Sequence, residues 1–316
     1  MVAAAAAGML GLLVFIAARV YHPDANLIFI WADAYTFWIY LPAYPALLLG
    51  VALRRWLLVG LAITVASFHL AWVLPDYRPA ESIPAEAAAA PHIRLMTANV
   101  YFLNPDYSGI AREIQQEDPD ILFIQEFGPR VHTALVEQGV ADRYPYQKFA
   151  FENEHFGVAM YSKLPLSDVQ VLEASNRPLI RALVDVAGRQ VVLYDLHPVS
   201  PGFGIDVADG WNDGWETITS FIAEETGPVI LAGDLNMDQH HVWYRKLKSE
   251  GLDNCHEETG RGNATTWPKG RKLRPIRIDH IFHSDQVVCL SIREGTGEGS
   301  DHHPLIAELA VLPEGP

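Results

Sequence analysis

The chain reads as an α+β domain, rich in strands and poor in helices, carried behind three membrane-spanning helices. Two observations lead there. Apolar residues crowd into the first quarter of the 316-residue chain, in runs close to the ~20 residues that cross a bilayer as a helix. From His92 onward, short β-branched runs alternate with amphipathic stretches instead.

The three apolar runs are Val2 to Val20, Tyr35 to Leu53 and Trp56 to Leu74. A cleaved leader is the weaker reading of the first, because no basic residue precedes it and two further spans follow. Only Arg54 and Arg55 separate the second run from the third, and such a basic turn is expected on the cytoplasmic side. Three crossings then put the remainder outside. The connection from His22 to Ala34, with two acids and no Lys or Arg, reads as an exterior loop, although Arg19 argues the other way. Residues 76–91, rich in Pro, Ala and Glu, read as a linker, so the expected organisation is an anchor at 1–75, a linker at 76–91 and a folded domain at 92–316.

Of 23 basic and 38 acidic residues, four and five precede residue 92, which leaves 19 and 33 and a formal charge of −14 for residues 92–316. Such a surface repels a nucleic-acid backbone, so nucleic acid is not the favoured partner. Cys255 and Cys289 are either one disulfide or two buried thiols, and their spacing excludes a structural zinc site.

Strands are predicted at Ile93 to Val100, Ile121 to Gln125, Gly157 to Tyr161, Leu179 to Val186, Gln190 to Leu196, Val229 to Ala232, Ile278 to His283 and Leu305 to Val311. Helices are predicted at Ser108 to Gln116, Glu216 to Glu225 and Val242 to Glu250.

Polar residues gather at the ends of these strands: Asn99, Glu126, His197, Asp234 with Asn236, Asp279 within the seventh, and Asp301 with His302 before the eighth. Oxygen-rich clusters suit a hard cation, and Mg²⁺ is held by one or two carboxylates plus water and phosphate. Glu126 and Asp301 are the expected ligands. An imidazole beside them can donate to a phosphoryl oxygen or shuttle a proton, as fits His197 and His302. A carboxylate outside the metal shell, as fits Asp234, can take the proton of an attacking water.

The strings Thr97-Ala98-Asn99, Ile124-Gln125-Glu126, Gly157 to Lys163 followed by Pro165, Leu196-His197, Gly233-Asp234-Leu235-Asn236, Arg277 to Phe282 and Ser300-Asp301-His302-His303-Pro304 resemble the ordered motifs of the endonuclease/exonuclease/phosphatase superfamily. Each string alone is weak; the ordered set spans residues 93 to 310 and leaves out the membrane part. The resemblance implies a four-layer α/β/β/α sandwich, two sheets with helices on both outer faces, and a Mg²⁺-dependent (or Mn²⁺-dependent) phosphoesterase. It also implies roles: Glu126, Asn99 and Asp301 around the metal, Asp234 on the nucleophilic water, Asn236 on phosphate, His197 donating to non-bridging oxygens and Asp279 bracing His302.

Read singly, each residue has a plainer explanation, since Asn and Asp after strands cap turns and a lone His is ordinarily structural. Less specific candidates are His240 and His241, either beside the metal or as the exposed start of a helix, His303 facing away from His302, Arg181 on phosphate or as an exposed strand charge, and Thr266-Trp267 near the cleft or with Trp267 in the core. Trp211 and Trp215, in a Gly- and Asp-rich segment, are read as a stacking or membrane-facing edge, and Pro201 to Gly214 as the loop where substrate is selected. The expected function is hydrolysis of a lipid head group or small phosphorylated molecule outside the cytoplasm. An exported nuclease and an inactive membrane-anchored scaffold are the alternatives.

Overall fold

The computed structural model describes all residues except 25, 79–82, 152–154, 203–204, 263, 271–274 and 315–316, and the side chains of 205–208. Helices are α1 (Val2–Tyr21), α2 (Leu27–Ala34), α3 (Thr36–Ile39), α4 (Ala43–Ala52), α5 (Trp56–Val73), α6 (Ser108–Glu117), α7 (Pro129–Glu137), α8 (Ile205–Ala223), α9 (Val242–Ser249) and α10 (Cys255–Glu258). Strands are β1 (His92–Asn99), β2 (Ile121–Gln125), β3 (Tyr146–Ala150), β4 (Val158–Ser162), β5 (Leu166–Ala174) and β6 (Arg177–Val186). There follow β7 (Arg189–Leu196), β8 (Val229–Asp234), β9 (Leu252–Asn254), β10 (Asp279–Ser284), β11 (Val287–Glu294) and β12 (Leu305–Val311).

Two six-stranded sheets form, ordered β11-β12-β1-β2-β4-β3 and β5-β6-β7-β8-β10-β9. Each has one parallel pair, β1 with β2 and β7 with β8, and is otherwise antiparallel. Alternate side chains of both sheets, among them Leu95, Phe123, Met160, Ile180, Leu193 and Ile281, meet in a closed apolar layer. The opposite faces bury helices. Ile110 and Ile114 of α6 and Val131 and Leu135 of α7 cover the first sheet, while Trp211, Trp215 and Ile218 of α8 and Leu247 of α9 cover the second. This is the four-layer sandwich. Cys255 and Cys289 are free thiols within the central layer.

The N-terminal region departs from expectation at its middle. Helices α1 and α5 are each long and apolar enough to cross a membrane, and a third crossing depends on a bent pair, Leu27–Ala34 followed by Thr36–Ala52, that turns through 83°. The predicted exterior loop from His22 to Ala34 thus contains helix α2. Asn26 starts it by accepting from the Ile28 and Phe29 N–H groups. Ile30 then plugs into the apolar layer beneath β8 and α8, where it is 1% exposed.

Polar contacts fix the same junction. Asp24 accepts from the Val242 N–H at 2.5 Å and so holds the start of α9. His241 Nε2 lies 2.9 Å from the Ile30 carbonyl, Trp38 Nε1 donates to the Pro275 carbonyl, and Gln239 Nε2 donates to Asp76. Arg19 and Asp33 form an ion pair that is almost fully buried. The residues after α1, α3 itself and the residues after α5 therefore all meet the two-sheet sandwich.

Candidate active site

The loops at one end of the two sheets enclose a cleft of about 460 Å³. Asn99 is the residue that joins its two halves. At the end of β1 its side-chain amide donates to Glu126 Oε1 at 3.1 Å and to Asp234 Oδ2 at 2.9 Å, spanning the first sheet and the second. The other Glu126 oxygen accepts from the Phe102 N–H at 2.7 Å. Glu126 and Asn236 both hold left-handed backbone, with φ of 56° and 50°. Such strain persists in non-glycine residues only where surrounding bonds enforce it. Asn236 has three such bonds: its N–H to Asp234 Oδ1, its side-chain amide to the Pro198 carbonyl, and its own carbonyl to Trp211 Nε1. Gly233 precedes them because a Cβ there would lie 1.9 Å from the Leu196 carbonyl.

The imidazoles approach Asp234 from two sides. Nε2 of His197 and Nε2 of His302 each lie 3.7 Å from Asp234 Oδ2, and His302 Nδ1 lies 2.9 Å from Asp279 Oδ2. The Thr266 hydroxyl accepts from the Ile278 and Asp279 N–H groups and sets that strand start. Trp267 Nε1 donates to Asp301 Oδ2, while Asp301 Oδ1 is buried with no hydrogen-bond partner among the described residues.

Environment drives the two histidines apart. Burial is the largest influence on His197, and with His302, His155 and Arg177 nearby it pushes the imidazole down to about 3, so His197 is neutral at pH 7. Burial acts the same way on His302, but Asp279, Asp234 and Asp301 outweigh it and raise the group to about 10. Burial also pushes the Asp234 carboxyl up, against the pull of His302. A cationic imidazole, a neutral one and a carboxylate of raised basicity thus share one cleft, the pattern of divided acid and base work.

All eight predicted site residues, Asn99, Glu126, His197, Asp234, Asn236, Asp279, Asp301 and His302, fall in or directly behind this cleft. Several looser expectations fail. His240 and His241 are buried, not exposed, because the N-terminal helices cover them. Arg181 is engaged by Glu225 and Asp168 on the outer face of the second sheet, and the arginine lining the cleft is Arg177, over the Phe156 ring. Trp211 and Trp215 are fully buried because the expected loop is largely helix α8; residues 203–204 lie outside the described ones. Sequence reasoning also missed the cleft walls formed by Tyr101, Phe102, Phe156 and, from α2, Ile30, Trp31 and Ala34. None of these carries a catalytic group that would single it out.

The model of the Endonuclease/Exonuclease/phosphatase family matches residues 96–302. The chain belongs to this family. No curated protein matches it. Among solved structures, a humanized D. rerio TDP2 is 18% identical, with a TM-score of 0.59 over 70% of this chain and 99% of that one. An endonuclease/exonuclease/phosphatase from Bacteroides vulgatus is 17% identical, with a TM-score of 0.57 over 70% and 99%. D. rerio TDP2 complexed with a single-strand DNA product is 17% identical, with a TM-score of 0.55 over 70% and 99%. Membership makes this endonuclease/exonuclease/phosphatase protein a metal-dependent hydrolase of phosphoric ester bonds.

Proposed function

We propose that the protein is a membrane-anchored phosphoesterase that uses Mg²⁺, or Mn²⁺, to hydrolyse a lipid head group or small phosphorylated molecule outside the cytoplasm. The observation that carries this reading is the Asn99 amide, which ties Glu126 to Asp234 within one cleft that also holds His302.

Glu126, Asn99 and Asp301 would hold the metal. They offer the hard oxygen donors Mg²⁺ requires, and the buried Asp301 Oδ1 has no hydrogen-bond partner among the described residues. Asp234, Asp279 and His302 also bring ligand atoms within 4.8 Å of one another, but His302 Nδ1 is already taken by Asp279 and imidazole is a poor ligand for Mg²⁺. A divalent ion bound there supplies charge neutralisation at the phosphoryl group.

In the proposed reaction, Asp234 takes a proton from water as the water oxygen bonds to phosphorus, opposite the leaving group. The ester P–O bond breaks, and the leaving oxygen takes a proton from the His302 imidazolium. Asp234 then returns a proton to His302 Nε2, 3.7 Å away. His197, neutral, donates its N–H to a non-bridging oxygen. Asn236 holds phosphate and the Asp234 carboxylate in register, and Asp279 braces His302.

The proposed sidedness rests on Arg54 and Arg55 facing the cytoplasm, because α5 then crosses outward to the catalytic domain. Contacts of Asp24, Trp38 and Asp76 on one side of the anchor support three crossings, with Thr36–Ala52 as the second.

A single-strand nuclease is the second reading. D. rerio TDP2 has been solved with a single-strand DNA product, and Tyr101, Phe102 and Phe156 beside Arg177 are side chains on which a base can stack. The charge of residues 92–316 opposes it. Full-length protein in nanodiscs, given Mg²⁺ and a panel of phospholipids, nucleotides and DNA, decides between them. Activity confined to DNA overturns the lipid and small-molecule preference.

A further inference from the structure

The floor of the cleft is polar, but the wall beside it is not, and part of that wall comes from the anchor. Ile30, Trp31 and Ala34 of α2 line the same cavity as Glu126, Asp234 and His302. Ala34 packs with Ile276 and Ile278 from the catalytic domain, with Tyr35 and Trp267 against them. Across the cleft, the rim contains Phe102, followed by Leu103, which is 58% exposed. Helix α2 begins six residues beyond the end of α1, so this wall stands next to the membrane-crossing segment. Helix α2 also lies outside the family match, which covers residues 96–302.

An anchor that served only as a tether would need no side chain in the active site. A substrate that was polar throughout would leave this apolar wall facing an ill-matched ligand, at a cost in desolvated polar groups. An ester whose phosphate sits on the polar floor and whose hydrocarbon lies along the wall satisfies both surfaces. We propose that α2 is a specificity element, and that the substrate class is an amphiphilic phosphoester with its apolar chain against Trp31, Ala34 and Ile276. This rests on the phosphoesterase reading above and narrows it. Water adds to phosphorus and one P–O bond breaks, as in the general reaction.

The test uses full-length protein in nanodiscs with Mg²⁺ and two chromogenic diesters, methyl p-nitrophenyl phosphate and hexadecyl p-nitrophenyl phosphate. The readout is the ratio of kcat/KM for the long-chain ester to that for the methyl ester, which cancels any loss of folded enzyme. Wild type is expected to favour the long chain by at least about tenfold, the lower end of what one methylene contributes in an apolar pocket. Trp31→Ala and Ile276→Thr are each expected to lower the ratio severalfold. Simple partitioning of the ester into the bilayer raises the ratio equally in all three proteins, and equal ratios overturn the proposal. No hydrolysis of either ester under any divalent metal overturns instead the phosphoesterase reading beneath it, and Asp234→Asn gives the background for that comparison.

Discussion

His302 Nδ1 and Asp279 Oδ2 lie 2.9 Å apart, both side chains almost fully buried, and Asp279 is the largest of the influences that hold an imidazolium inside the cleft. Without this carboxylate, burial, which favours the neutral ring, is opposed only by Asp234 and Asp301. Asp279→Asn keeps the shape and removes the charge. Its kcat on bis-p-nitrophenyl phosphate is expected to fall by about 10²-fold or more, the usual scale of a lost proton-transfer group, with little change in KM. Steady-state kinetics in nanodiscs check both numbers.

Asn99 is placed to act on the metal site without being its main ligand. Asn99→Ala frees Glu126 and Asp234 from their shared donor, so apparent Mg²⁺ affinity is expected to weaken about 10- to 100-fold, as is usual when a partner that orients metal ligands is removed. A Mg²⁺ titration of initial rate reads this directly. Unchanged affinity with reduced kcat would confine Asn99 to transition-state geometry.

Helix α2 is expected to contribute to the stability of the two-sheet sandwich. Ile30 is 1% exposed in the layer between the second sheet and α8, and Ile30→Ala should cost about 2–5 kcal/mol. Residues 92–316 alone leave that socket open to water, and lower thermal stability than the full chain is expected. Melting curves of the full chain, the variant and the fragment measure the difference.

Glu294 gives a pH signature away from the cleft. It accepts from His256 Nε2 at 3.0 Å and from Arg261 at 2.5 Å. Burial, the largest influence, raises its carboxyl, but these partners together bring it down to about 2. The group titrates lower in the fold than in the unfolded chain. Its stabilisation is therefore complete above the ordinary value of 4.5 and is lost as pH falls toward 2. Glu294→Gln is expected to melt lower at neutral pH, with the gap to wild type narrowing between pH 4.5 and 2. A gap that stays constant through that window would contradict this assignment.

The sandwich was legible in the sequence where strands are covered on both faces. The eight predicted strands are the eight interior strands of the two sheets, whereas β3, β5, β9 and β11, which went unseen, are the four edges. An edge strand has fewer neighbours to bury against: six of the nine β5 residues are exposed, so its sequence shows no apolar run. The candidate site residues were legible because each stands at or just beyond one end of an apolar interior strand. Helix α2 was not, because its eight residues fall in a connection whose two acids and lack of Lys or Arg read as an exterior loop, and only tertiary contact with His241 and the second sheet reveals its role. The buried chain Thr97 to Gln125 to Asp195 behind the site was hidden for a related reason, since its polar side chains sit inside strands that look uniformly apolar.

In the proposed site, one hydrated divalent cation sits where Asn99, Glu126 and Asp301 converge. Anomalous diffraction from crystals of the full-length protein soaked in Mn²⁺ locates it. A peak is expected at roughly 2.0–2.3 Å from carboxylate oxygens of Glu126 and Asp301, with Asp234 and His302 left to act on water and leaving group. A peak bound by Asp279 and His302, with none at Glu126, would contradict it.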